Sequence, residues 1–363
     1  MHRAPGTGRD DPIGAGATCS AFVHDGARQK KAPKFLFRSH FAVWGSPNPA
    51  FAPLLRQPVR PLLPLCIALL ASVWVRASAP EEIGEFVFCS YNLENYSEAI
   101  APGPSSPFGS KAKSETAIAT LVRIIQEIHP DVLGLCEMGS PAKFEEFRQR
   151  LNDAGLGFVD AEYVRAFDED RHLALLSRFP IVSRNSQNDV SFELNGAKER
   201  VRRGFLDVTV EINSEYRLRC LGAHLKSRLP VPEGESIVRR YEAQKLRAYL
   251  ESILASDPKV NLLCYGDFND TKNEATVQTI AGVRGTPRHM DDLLCRDALG
   301  DRWTHYWKTA DQYSRIDYLF ASPGLLPEVN SAKCGVYRST DWNEASDHRP
   351  IFTAIRPLNF ERR

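Results

Sequence analysis

Six places in the sequence set a polar, chemically capable residue at or beside an apolar run. Asn92 and Glu94 follow EFVFCSY, Glu137 follows LGLC, and His224 closes YRLRCLGAH. Asp267 and Asn269 end NLLCYGDFND, Asp317 sits inside RIDYLF, and Asp347 with His348 comes just before PIFTAI. Singly, each has an ordinary explanation, since Gly, Asp and Asn are the residues of turns and a Glu after a strand is usually solvated. Asp317 is harder to explain that way. A carboxylate buried without a partner costs several kcal/mol, and a protonatable histidine is a natural partner. Carboxylates and an amide without a thiolate cluster suit a hard, oxygen-preferring cation such as Mg2+ or Mn2+ rather than zinc.

The elements that must position these groups alternate between strand and helix signals. Residues 85–91 and 131–137 are short buried-strand runs. Between them Ser114 caps a helix whose Ile118, Leu121, Val122, Ile125 and Ile128 share one face, with Pro130 stopping it. A second helix is expected over 143–151 and another strand over 172–179. Leu206, Val208, Val210 and Ile212 face one way and Asp207, Thr209 and Glu211 the other, and 216–225 returns as the hairpin partner. A long amphipathic helix covers 236–254. The strand of NLLCYGDFND, a loop-rich span over 271–313 and strands at 315–322 and 350–355 complete the pattern. Helices interleaved with buried strands predict an α/β architecture of mixed sheets covered by helices.

Bulk composition narrows the partners. The formal net charge is +1, but residues 1–79 carry ten Lys/Arg against three Asp/Glu, leaving 36 basic and 42 acidic residues, about −6, in the remainder. Gripping long nucleic acid by charge calls for a basic surface, which this remainder lacks in bulk. Two local groups, Lys198, Arg200, Arg202 and Arg203, then Lys226, Arg228, Arg239 and Arg240, make either a basic rim or the solvated faces of a hairpin and a helix. The basic head precedes a 14-residue apolar stretch, LLPLCIALLASVWV at 62–75, and Ala77-Ser78-Ala79. That order is the order of a secretory signal, with a membrane-anchoring helix as the alternative. The expected division is an upstream extension (1–61), a signal peptide (62–79) and a catalytic domain (80–363), secreted or periplasmic. No C-x-x-C pair or G-x-S-x-G motif occurs, which argues against a thiolate zinc site and a covalent acyl mechanism. Cys89, Cys136, Cys220 and Cys264 read as small buried hydrophobes, while Cys295 and Cys334 are free to pair in an exported protein.

Taken in order, NLEN, LCEM, AHLKSR, GDFND, RIDYLF and SDHRP resemble the signature segments of the endonuclease/exonuclease/phosphatase superfamily, the deoxyribonuclease I-like and exonuclease III-like enzymes. The resemblance spans roughly residues 84–357 and implies a four-layer sandwich, two mixed β-sheets face to face with helices outside. It implies that Glu137 is the main ligand of Mg2+ or Mn2+, assisted by Asn92 and Glu94, with Asp347 joining or supporting the site. Asp267 and Asn269 match residues that orient or deprotonate the attacking water and hold the phosphate. Asp317 matches the orienter of His348, which contacts the scissile phosphate, and His224 a residue that holds the phosphate or acts as an acid. Arg171 and His172 match a segment that lies beside the site.

Phosphoester hydrolysis needs a nucleophile made from water, neutralised phosphoryl oxygens and an oriented leaving group, and this set provides for all three. The implied function is a metal-dependent phosphodiesterase, a nuclease acting on DNA or RNA, working as a monomer with no organic cofactor. The alternative within hydrolases is a phosphatase or lipid phosphodiesterase for a phosphoinositide- or sphingomyelin-like headgroup. A non-catalytic binding protein of the same fold would be expected to lack one of these groups, and here all are present.

Overall fold

The computed structural model describes residues 84–358 except 100, 104–108 and 110. The expectations for 1–61 and for the leader at 62–79 therefore lie outside the described residues. The chain opens with β1 (Phe86–Tyr96), α1 (Glu115–Ile128), β2 (Val132–Met138), α2 (Pro141–Asp153), β3 (Asp160–Val164) and β4 (His172–Ser177). It continues through β5 (Ile181–Arg184), β6 (Ser191–Leu194), β7 (Ala197–Arg200), β8 (Phe205–Asn213), β9 (Tyr216–His224) and α3 (Glu235–Ser256). Next come β10 (Leu262–Asp267), α4 (Ala275–Ala281), β11 (Asp291–Asp292), β12 (His305–Trp307) and β13 (Gln312–Ser314). The last elements are β14 (Asp317–Ala321), β15 (Val329–Val336), α5 (Trp342–Ala345) and β16 (Ile351–Ile355).

Two mixed six-stranded sheets result, ordered β15-β16-β1-β2-β4-β3 and β11-β14-β10-β9-β8-β5. Their facing sides share one core, in which Phe88, Val132 and Leu175 of the first sheet meet Leu206, Val208, Leu263 and Leu319 of the second. On the outer side of the first sheet, Leu121 and Ile125 of α1 and Phe147 of α2 cover Leu133 and Leu135. On the outer side of the second, Leu246 and Leu250 of α3 and Ile280 of α4 cover Leu221 and Cys264. The four-layer α/β sandwich is thus present. The β8 alternation holds, but α3 covers the polar side too: Asp207 is fully buried, bonded to Arg219 and to the Tyr249 hydroxyl of α3.

Two glycines set the approach of the sheets and the end of β10. A side chain on Gly134 would strike the Tyr265 ring at 2.1 Å, so this ring fits between the sheets only because β2 is bare there. Gly266 has φ +132, and a Cβ there would lie 1.9 Å from the Ala223 carbonyl oxygen of β9. Only glycine lets the strand turn at that point. The N-termini of α1 and α2 are capped, Ser114 accepting from Ala117 N and Ser140 from Lys143 N. With Pro141 at its start, α2 begins two residues earlier than its expected 143. Helix α1 ends on His129 in the left-handed region, just ahead of Pro130.

Among the described residues no helix is long and apolar enough to cross a membrane. The six described cysteines are free thiols. Cys89, Cys136, Cys220 and Cys264 are buried, as expected of small hydrophobes.

Candidate active site

The register of the second sheet explains why distant segments meet. Asp267, the last residue of β10, stands opposite His224 of parallel β9 and opposite Asp317 of antiparallel β14. In the first sheet, Asn92 of β1 pairs with Cys136 of β2, which delivers Glu137 beside it. The Ser346 hydroxyl donates to the Asn92 carbonyl and accepts from His348 N, tying the loop before β16 to β1. Asp347 and His348 thereby reach the same sheet edge.

Asp267 is the hub. Its Oδ2 accepts from Asn92 Nδ2 at 3.1 Å and lies 3.5 Å from His224 Nε2 and 3.7 Å from His348 Nε2. Its Oδ1 accepts from Asn269 N at 2.8 Å, an Asx turn. One carboxylate thus closes its own turn through Oδ1 and turns Oδ2 to Asn92, His224 and His348. Asn269 also bonds the Leu225 carbonyl. His348 Nδ1 is 2.8 Å from Asp317 Oδ2, and both residues are buried.

Glu137 Oε2 accepts from Asn95 N at 2.9 Å, and Oε1 from Asn92 Nδ2 at 3.3 Å. Asn92 spends its amide N–H groups on Glu137 and Asp267 and its Oδ1 on Glu94 N, so it braces the carboxylates. Glu94 accepts from Asp347 N, with Lys113 Nζ 3.7 Å away. Asp347, Glu94 and Glu137 line a cavity of about 600 Å3 together with His224, Asp267, Asn269 and His348. A larger cavity of about 710 Å3 at the start of α3 contains none of these groups.

Electrostatics follow from burial and crowding. Burial and then the charge of Asp317 push the Asp267 carboxyl up to about 7. Burial and then Asp347 push Glu94 up to about 7 as well. For His348 burial works downwards, but the charge and hydrogen bond of Asp317, with Asp267 and Asp347, hold it well above its usual value. His224 goes the other way, held well below by burial and then by Arg203, which makes it the neutral imidazole of the pair. Four of the seven non-glycine residues with positive φ among the described residues are Glu94, Asn95, Glu137 and Asn269. Such backbone costs of order 1–3 kcal/mol per residue and concentrates at functional sites.

The oxygen donors of Glu94, Glu137 and Asp347, where burial and then the charge of Asp347 push the Glu94 carboxyl up to about 7, fit a hard divalent cation. Thiolates, which would favour a soft metal, are absent from this cavity.

Two expectations change. Arg171 lines the cavity with its Nε 3.8 Å from Glu137, but His172 is buried against the Tyr163 ring and does not. The eight basic residues form no continuous rim: Arg203 is buried on Asp168, Arg239 on Asp270, and Lys226 on backbone carbonyls. Only Arg203 and Arg228 of them line the cavity. Lys113 and His305 were not anticipated. His305 lies on the β12–β13 hairpin, its ring 4.7 Å from that of His348. The run WTHYW, aromatic at alternate positions, was the available sign of that hairpin.

Comparison with known proteins agrees with this architecture. The model of the Endonuclease/Exonuclease/phosphatase family matches residues 89–348. Among solved structures, truncated Caenorhabditis elegans TDP2 is similar at 17% identity and TM-score 0.51, covering 75% of this chain and 98% of that one. Sphingomyelinase C from Streptomyces griseocarneus is similar at 14% identity and TM-score 0.52, over 75% of this chain and 99% of its own. The human Nocturnin catalytic domain with bound sulfate anion gives 18% and 0.52, over 76% and 96%. At these identities the likeness is one of fold. No curated protein matches the chain.

Proposed function

The chain belongs to the endonuclease/exonuclease/phosphatase family, and from that premise we propose that it is a divalent-metal-dependent phosphodiesterase acting on nucleic acid. The observation that carries this reading is the pairing of Asp317 with His348 beside Asp267, in the cavity that Glu94, Glu137 and Asp347 also line. Glu94, Glu137 and Asp347 would hold the metal, Mg2+ or Mn2+, which supplies charge neutralisation on the phosphoryl group. Asp267, held near neutrality by burial, is suited to take a proton from an attacking water at its Oδ2. Asn269 and neutral His224 orient groups around that oxygen. His348, kept cationic by Asp317, binds a phosphoryl oxygen through Nε2.

The mouth supports a nucleic acid. Trp307 and Tyr313 of the β12–β13 hairpin line the cavity, each with more than half its surface exposed, and Arg171 and Arg228 lie in the same lining. Exposed aromatics beside cations are the arrangement on which unpaired bases stack. Exposed Leu229 at the same mouth favours a second reading, a lipid phosphodiesterase. The apolar stretch at 62–75 with Ala77-Ser78-Ala79 supports export to the periplasm or beyond.

Turnover of the purified protein tests the reading, with Mg2+ or EDTA, against single- and double-stranded DNA, RNA, bis-p-nitrophenyl phosphate and sphingomyelin. EDTA-sensitive cleavage of nucleic acid is expected. Cleavage of sphingomyelin alone transfers the assignment to the lipid reading, and inertness towards every diester sinks both.

A further inference from the structure

We propose that His305, Asp347 and His348 form a binding site for a transition-metal ion of the zinc class at the cavity mouth, and that an ion held there inhibits the enzyme. The inhibition rests on the phosphodiesterase reading, whereas the site itself does not.

His305 and His348 face each other across a backbone bridge between β12 and the loop before β16. Their Nε2 atoms flank one carboxylate, His305 at 3.6 Å from Asp347 Oδ2 and His348 at 3.8 Å from Asp347 Oδ1. One ligand atom from each of the three lies within 4.8 Å of the others. Bonds of about 2.0–2.1 Å to a tetrahedral zinc place neighbouring ligands about 3.3 Å apart. Each Nε2 is therefore within about half an ångström of that spacing from one carboxylate oxygen, but from a different one, so an ion held on a single oxygen needs the 40%-exposed Asp347 carboxylate to rotate. The remaining closure falls to His305, whose side chain keeps 20% of its surface exposed on the short hairpin.

Both rings are already fixed for ligation. Asp317 holds Nδ1 of His348 at 2.8 Å, and the Ser314 hydroxyl lies 3.4 Å from Nδ1 of His305. Each histidine thus has Nδ1 engaged and Nε2 within 3.8 Å of Asp347, that of His348 lying also 3.7 Å from Asp267 Oδ2. A carboxylate behind a histidine ring is the outer-shell arrangement that orients imidazole ligands to zinc. Two imidazoles and one carboxylate select zinc-class ions over Mg2+ or Ca2+, which take oxygen. The set differs from the oxygen wall of Glu94, Glu137 and Asp347, with which it shares only Asp347. Coordination would release the Nε2 proton of His348 to solvent, occupy the nitrogen that phosphate needs and clamp the Trp307 hairpin onto the core.

The test measures Zn2+ binding by competition with a chromophoric chelator in excess Mg2+, and turnover over the same zinc range. The proteins are the wild type, His305→Ala and, as a control, His289→Ala. His289 forms a histidine–carboxylate pair with Asp291 outside this cavity. His305→Ala should weaken zinc binding at least tenfold and raise the zinc concentration for half-inhibition, relative to its own zinc-free rate, by the same factor. His289→Ala should change neither. Crystals of the wild type soaked with zinc should give an anomalous peak between the three side chains, which decides the site even if His305→Ala fails to fold. Equal zinc binding by His305→Ala, or an anomalous peak only elsewhere, overturns the site. Zinc bound there without slowing turnover overturns the inhibition, and absence of turnover on any diester removes the phosphodiesterase reading while the binding and diffraction results still decide the site.

Discussion

Asp317→Asn isolates the charge behind His348. The substitution keeps the shape of the side chain, and an amide oxygen can still accept from Nδ1, so the ring need not turn. What disappears is a negative charge whose Oδ2 lies 2.8 Å from that nitrogen, both side chains being buried. With charge centres about 4 Å apart and an effective dielectric near 20, the lost attraction is at most about 4 kcal/mol. Asp267 and Asp347 stay 3.7 Å and 3.8 Å from Nε2 and retain part of it. A net loss of about 2–4 kcal/mol at the transition state corresponds to roughly 30- to 1,000-fold in rate. Because His348 answers charge that develops on the phosphoryl oxygens, the loss should appear in kcat, with KM moving less than about threefold. The assay is steady-state kinetics on a soluble diester at saturating Mg2+, with a thermal melt alongside. Removing the carboxylate behind a buried cation weakens the fold, and relief of the repulsion that Asp317 exerts on Asp267 offsets only part of that, so the melting temperature should fall modestly without loss of the folded state. A kcat within threefold of wild type, or a loss carried by KM, would refute the role given to the pair.

Glu137→Gln should reduce turnover at least 100-fold, with the melting temperature little changed, since it removes one charge from the metal wall and keeps the volume. Gly266→Ala should destabilise by at least about 3 kcal/mol in urea denaturation, as φ +132 and the Ala223 carbonyl leave no room for a Cβ. Asp297→Asn should cost about 3–5 kcal/mol at neutral pH by leaving Arg349, 1% exposed, without its carboxylate. Burial pushes Asp297 up, but hydrogen bonds from Arg349 and Arg338 hold it at about 2. A depressed carboxyl adds stability that is complete above its unfolded value and lost as pH falls from about 4 to about 2, so denaturation across that window should show this component in wild type and not in the variant. Trp307→Ala should raise KM for single-stranded nucleic acid about tenfold and leave bis-p-nitrophenyl phosphate turnover within threefold, the scale of one lost base stack.

Much of the site was legible because its strands are buried on both faces. In β2 and β10 nearly every residue is buried, so a polar group at the strand end stands out against a continuous apolar run. Edge strands carry no such contrast. β15 reads VNSAKCGV with most of its residues exposed or half-exposed, β3 is half-buried, and both went unseen. His305 escaped for a related reason: its strand has three residues, too short for a period to declare itself. The basic residues misled because charge is written in the sequence while the partner is not. Asp168, 35 positions before Arg203, and Asp270, 31 after Arg239, neutralise them only once the chain has folded. Asn92 shows the same limit at atomic scale, since nothing in its type foretold that its two N–H groups would brace Glu137 and Asp267.

The strained backbone ties these observations together. Glu94 and Asn95 in β1, Glu137 in β2 and Asn269 after β10 all adopt positive φ, and none is glycine. At of order 1–3 kcal/mol each, four such residues cost about as much as the whole net stability of a typical domain. A turn selected for stability alone would place glycine there, as the chain does at Gly155, Gly196 and Gly300. The side chains must therefore matter more than the strain. Glu94 and Glu137 bring carboxylates to the cavity and the Asn269 amide bonds Asp267 Oδ2, while Asn95, whose backbone N bonds Glu137, also lines the cavity. Positive φ lets each strand end curl its polar group back over the sheet edge instead of releasing it to solvent. Two facing sheets, with Tyr265 packed between them over Gly134, provide the rigid base against which that strain can be held.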